Sequence, residues 1–149
     1  HKDLEFLPDA GVSINAPEFI KAWSGMENLR YLAKIRGIAD DARILELALK
    51  LGLDNDLKKK YKTYSLGMRQ KMRLIQALMD EPKYLILDEP FDALDSAMKK
   101  EAMDLLKEYM TAHSGTQLIY TSHQDSDDEF ADVCYEINEY SLIGVCGND

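Results

Sequence analysis

The feature that most constrains this chain is Tyr84-Leu85-Ile86-Leu87, four apolar residues in a row, followed at once by Asp88-Glu89-Pro90. A strand with one face in water would alternate apolar and polar residues. Continuous apolarity predicts a strand covered on both faces, as in the parallel sheets of α/β proteins. Such a strand delivers its trailing residues to the carboxyl edge of the sheet, where open α/β folds bind ligands. A second short run, Leu118-Ile119-Tyr120, reads the same way and ends at Thr121-Ser122-His123. Between them, residues 96–112 set Met98, Ala102, Leu105 and Tyr109 along one helical face, and Gly115 closes that helix.

Upstream, the chain reads as small helices. Residues 11–15 suit a brief strand and 16–20 a turn. Ser24 with Glu27 three residues on is a capping box, ahead of Leu29, Leu32, Ala33 and Ile35 at helical spacing, and Gly37 ends the helix. Asp40 or Asp41 caps a second helix with Ile44, Leu45, Ala48 and Leu51 on its inner face, and Gly52 stops it. The lysine-rich residues 54–62 read as a solvated connector, and 68–79 as a further helix. Past the second strand, a short acidic helix over 126–131 leads to terminal strands near 133–137 and 142–146. A hairpin turn at Asn138-Glu139 sets Cys134 opposite position 143 rather than Cys146. That register makes the two cysteines a poor disulfide pair, so reduced thiols are expected.

The 149 residues carry 27 acidic and 18 basic side chains, a formal net charge of −9. That balance argues against a nucleic-acid binder, which needs a basic patch to neutralise phosphates. It leaves room for a nucleotide, which a few placed groups hold locally. No run approaches the ~20 apolar residues of a membrane-spanning helix.

Four apolar residues and then Asp form the Walker B pattern, whose Asp88 supports the Mg2+ of a bound nucleotide. Glu89 directly after it can orient or deprotonate an attacking water. The bland alternative is an acidic strand-to-helix turn. In Tyr64-Ser65-Leu66-Gly67-Met68, a hydroxyl and a glycine precede a helix whose N–H groups and dipole suit a phosphate. The alternative there is a plain serine cap. Phe91-Asp92-Ala93-Leu94-Asp95 follows the carboxylate pair, and His123 opens onto the same sheet edge as Asp88 and Glu89.

Together, the order and spacing of these segments resemble the ATP-binding-cassette (ABC) ATPase family over about residues 11–145. Residues 64–68 look like a variant of its Leu-Ser-Gly-Gly-Gln signature, with Leu66 and Met68 in place of Gly and Gln. Residues 91–95 resemble the D-loop and His123 the switch histidine, while Asn15 sits where the family's Q-loop glutamine usually lies. The form of the signature is similar to that of bacterial bacitracin-type, multidrug or lantibiotic exporter ATPases. The Walker A loop, G-x-x-x-x-G-K-[ST], is absent, because none of the eight glycines is followed by Lys.

The resemblance implies part of a P-loop NTPase core with parallel strands plus a helical subdomain. Residues 1–15 would end the N-terminal core, 16–63 would form the helical subdomain, and 64–149 would complete the core. It implies an ATPase subunit of an exporter, with ATP as substrate and Mg2+ as cofactor. Glu89 and His123 would be catalytic, Asp88 would support the metal, and Ser65, Gly67, Asp95 and Asn15 would contact nucleotide. The implied partners are a second ATPase subunit, head to tail, and a transmembrane permease, through which the cytoplasmic subunit would sit peripherally at the inner face of the cell membrane. Phe19, Ile20 and Trp23 are candidates for the permease contact, with local core as the alternative. Without Walker A, this piece alone is expected to be inactive and, through an open strand edge, to self-associate. A non-transport ABC ATPase and a non-catalytic interaction fragment are the competing readings.

Overall fold

The computed structural model describes residues 9–14, 19–124, 131–138 and 141–147. Three strands, β1 (Ala10–Ser13), β2 (Tyr84–Leu87) and β3 (Gln117–Tyr120), form a parallel sheet in the order β1-β2-β3. The register aligns Ser13, Leu87 and Tyr120, so all three strands end at one edge. Two further strands, β4 (Val133–Asn138) and β5 (Ser141–Gly147), form an antiparallel hairpin.

Between β1 and β2 run three helices, α1 (Gly25–Arg36), α2 (Asp41–Lys50) and α3 (Leu66–Leu78); α4 (Ser96–Ala112) links β2 to β3. Each boundary has a local cause. Ser24 and Glu27 form the reciprocal capping box at the start of α1, and Gly37 closes it at φ 70. Asp40, Ser65 and Asp95 cap α2, α3 and α4 by accepting the N–H of Arg43, Met68 and Met98. Helix α3 thus starts two residues earlier than the apolar periodicity suggested, because its cap is Ser65.

The core lies between the helices and one face of the sheet. Leu85 and Leu87 are fully buried, as are Leu74, Ile75 and Leu78 of α3, with Ala102, Leu106 and Tyr109 of α4 beside them. A side chain at Gly11 would collide with the Ala77 carbonyl, so this glycine lets β1 and α3 touch. The Tyr109 hydroxyl donates to the Pro82 carbonyl at 2.8 Å, and burial pushes its phenol up to about 12.

Several expectations need correction. Among the described residues the sheet is covered on one face only: Val12, Ile14 and Ile119 are exposed and Ile86 half-buried. Ile35 and Leu45 point outward, and Leu47 takes the buried place beside Ile44 and Ala48. Residues 54–62 are not a plain solvated connector. They form two 3-10 turns that bury Leu57 and Tyr61. Phe19 belongs to the core and packs on the Tyr61 ring, with centroids 5.0 Å apart. In the hairpin Asn138 pairs with Ser141, a register one residue later than expected. A bulge after Cys134 then sets Cys134 opposite Cys146, not opposite position 143. The acidic helix over 126–131 lies almost wholly outside the described residues.

Candidate active site

The carboxyl edge of the parallel sheet assembles the site. The Asp88 N–H donates to the Ser13 carbonyl at 2.7 Å, and the Thr121 N–H to the Leu87 carbonyl at 3.1 Å. These bonds continue the ladders one residue past the strands, so Asp88-Glu89 and Thr121-Ser122-His123 emerge side by side. The Thr121 hydroxyl donates to Asp88 Oδ1 at 2.7 Å and accepts the Glu89 N–H at 3.0 Å. Glu89 Oε1 pairs with His123 Nε2. The histidine side chain is 84% exposed and the glutamate 38%, so the pair faces open solvent at this edge.

Glu89 has φ 48, the left-handed region, which costs a residue with a Cβ about 1–3 kcal/mol. Its carbonyl accepts two bonds, from Gln70 Nε2 at 3.0 Å and from the Asp92 N–H at 3.1 Å. The turn that follows buries Pro90 and Phe91, and the Phe91 ring meets Tyr120 edge-on with centroids 5.9 Å apart. The strained turn is thereby tied to both neighbouring strands and to α3.

Ser65 is exposed at the N-terminus of α3, with its Oγ accepting the Met68 N–H at 3.2 Å. Tyr64 before it is buried, donates to the Asp56 carbonyl at 2.8 Å, and is pushed up to about 12 by burial. Gly67 is buried against the loop behind the carboxylates. A Cβ there would lie 3.2 Å from Met98 Sδ and 3.3 Å from the Ala93 carbonyl. Asp95 sits on that same stretch and uses a carboxylate oxygen to cap α4. The structure thus brings residues 64–68 against residues 91–95, and Asp88 and Glu89 against His123. Asn15 lies outside the described residues.

Two further polar residues, Thr121 and Gln70, contribute to the site. Thr121 carries no signal in the sequence beyond its place in the run leading to His123. Gln70 sits on the buried side of α3 at 4% exposure. A polar side chain on an otherwise apolar helix face was the available signal.

The donor set fits Mg2+ bound with a nucleotide. Among the described residues, no three His, Cys, Asp or Glu groups form a metal cage. Mg2+ keeps several waters and takes one or two carboxylates plus substrate phosphates, so Asp88 alone, steadied by Thr121, suits it.

Residues 5–92 match the family model described as ABC transporter. The chain is 38% identical to the ABC transporter ATP-binding protein YdbJ of Bacillus subtilis (strain 168), over 81% of this chain and 40% of that protein. It is 34% identical to the bacitracin transport ATP-binding protein BcrA of Enterococcus faecalis, over 89% of this chain and 43% of that protein. The chain therefore spans less than half the length of these two relatives. The solved dimeric structure of MJ0796, a bacterial ABC transporter cassette, superposes with a TM-score of 0.72 at 24% identity, over 83% of this chain and 56% of that one. That likeness establishes an ABC cassette fold. On the strength of the family match and these relatives, the chain belongs to the ABC transporter ATP-binding family.

Proposed function

We propose that this chain is the latter part of the ATP-hydrolysing subunit of an ABC exporter. The observation that carries the reading is the contact between Glu89 and His123 beside Asp88 at one sheet edge. Bound there, Mg2+ would supply positive charge to the phosphate oxygens. Asp88 would hold the ion. Glu89 would orient the attacking water and accept its proton, which matches its place at the solvent edge. His123 would hold the Glu89 carboxylate and donate to the γ-phosphate. Ser65 has its oxygen lone pair on the Met68 N–H, which leaves the hydroxyl proton to donate to a nucleotide held by a second subunit. Gly67, Asp95 and Asn15 would complete the nucleotide contacts.

Residues 1–15 and 64–149 would belong to the catalytic core and 16–63 to a helical subdomain. A second such subunit would be one partner, arranged head to tail as the family resemblance implies; the MJ0796 cassette is itself dimeric. An export permease would be the other partner, with the subunit cytoplasmic and peripheral at the inner membrane face; the relative named for bacitracin transport supports a role in transport. No described helix is long and apolar enough to cross a membrane. Because none of the glycines in these 149 residues is followed by Lys, the piece by itself lacks the phosphate-binding loop and would hydrolyse no ATP.

The test is Glu89→Gln in the full-length protein. Turnover should fall about a hundredfold or more while Mg-ATP binding persists and an ATP-bound dimer accumulates. Turnover at the normal rate would overturn the assignment.

A further inference from the structure

Glu89 is fixed through its peptide as much as through its carboxylate. Its left-handed conformation is one that a side chain with a Cβ leaves unless its neighbours hold it. Two side chains from different elements grip the two ends of this residue. Thr121, at the end of β3, accepts the Glu89 N–H at 3.0 Å. Gln70, on α3, donates to the Glu89 carbonyl at 3.0 Å.

Neither grip is free to reverse. Thr121 commits its one hydroxyl proton to Asp88 Oδ1 at 2.7 Å, so a lone pair faces the Glu89 N–H. Gln70 is buried, and its Oε1 accepts Arg73 Nη1 at 2.9 Å. A flipped amide would set its NH2 against the guanidinium, donor against donor. The network therefore fixes the amide with its nitrogen toward Glu89.

We infer that Gln70 and Thr121 are positioning residues that clamp the Glu89 peptide and so aim its carboxylate at His123 and the reacting water. Gln70 also stands on the helix that Ser65 caps, so movement of that helix reaches Glu89 through one hydrogen bond. The inference rests on the reading of Glu89 as the group that orients water.

The experiment uses the full-length protein and measures kcat and KM for ATP. Thr121→Val keeps the shape and removes both bonds at an exposed strand end. It should lower kcat about tenfold or more and leave KM within about threefold, because misaim of the reacting group costs rate rather than binding. Thr121→Ser, which keeps the hydroxyl, should restore kcat to within about threefold of the parent. Gln70→Glu keeps an acceptor for Arg73 but sets a carboxylate against the Glu89 carbonyl. It should lose kcat as Gln70→Leu does, whereas a role limited to holding Arg73 would be rescued by Glu. Added to Glu89→Gln, neither Thr121→Val nor Gln70→Leu should reduce the residual rate further.

Should Gln70→Leu fail to fold by thermal melting, Thr121→Val with its Ser control decides the matter. Parental kcat in Thr121→Val, beside a Glu89→Gln enzyme that is dead, overturns the clamp and leaves the role of Glu89 standing. Parental turnover in Glu89→Gln overturns both.

Discussion

Asn28 commits its amide to the chain that enters α1. Its Oδ1 accepts the Ile20 N–H at 2.7 Å, and its Nδ2 donates to the carbonyls of Ile20 and Ser24 at 3.1 and 2.9 Å. The side chain is 4% exposed, so each lost bond leaves a backbone group with little water to replace it. Asn28→Ala should cost about 2–3 kcal/mol in urea unfolding, from unsatisfied groups and lost packing. Asn28→Asp keeps the acceptor but sets a buried carboxylate oxygen against two carbonyls, so at neutral pH it should be no more stable than Asn28→Ala. An Asn28→Ala protein as stable as the parent would show that residues 19–24 are held by other contacts. At this scale the sequence was partly legible. Asp88, Glu89 and His123 stood out because unusual residue types follow apolar strands. Thr121 and Gln70 did not, since a threonine and a glutamine are common anywhere. Their roles exist only once strand register and helix packing bring two distant segments within 3.0 Å of the Glu89 backbone.

Elements were legible where a cap or a stop residue marks them. The Ser24–Glu27 box was read from spacing alone, and both of its reciprocal bonds are present. Which face of α1 and α2 is buried was less legible. Apolar residues ring more of each helix than the core can cover, so Ile35 and Leu45 remain outside. Cross-strand register failed for β4 and β5 because Asn138 pairs with Ser141 and a bulge after Cys134 shifts the remaining pairing. The box at α1 also carries a pH signature. The Ser24 N–H and hydroxyl donate to Glu27 at 2.6 and 2.7 Å, and hold its carboxyl below its ordinary value of 4.5. A lowered folded pKa means this contribution is whole above about pH 4.5 and is lost as pH falls through the folded value. Urea midpoints for the parent and Glu27→Gln should therefore differ at about pH 6.5 and converge in acid, below the folded pKa. A constant difference across that range would separate the box from its charge.

The whole molecule presents a helix-covered face of the sheet and, among the described residues, an opposite face with Val12 and Ile119 at 38% and 64% exposure. The register puts these two residues in one row across Ile86, so the exposed apolar surface is continuous rather than scattered. No strand pairs with the outer edge of β3 among the described residues. The continuous apolarity of the strands was legible, and it implied cover on both faces. The relatives are much longer than this chain, so the cover for the second face need not lie within these 149 residues. Exposed apolar rows and open edges pair with other chains. A net charge of −9 opposes that pairing by mutual repulsion. The 149-residue chain should therefore self-associate weakly in dilute buffer and more strongly at about 0.5 M salt, where screening removes the repulsion and leaves the apolar contact. Light scattering across protein concentration at both salts measures this. Ile119→Lys places a charge on the row at the edge strand and should return the profile to monomer at either salt. A strictly monomeric parent at high concentration and high salt would mean that the exposed row does not draw copies together. Association that Ile119→Lys leaves intact would assign the contact to another surface, such as the exposed Ile137 and Leu142 pair of the hairpin.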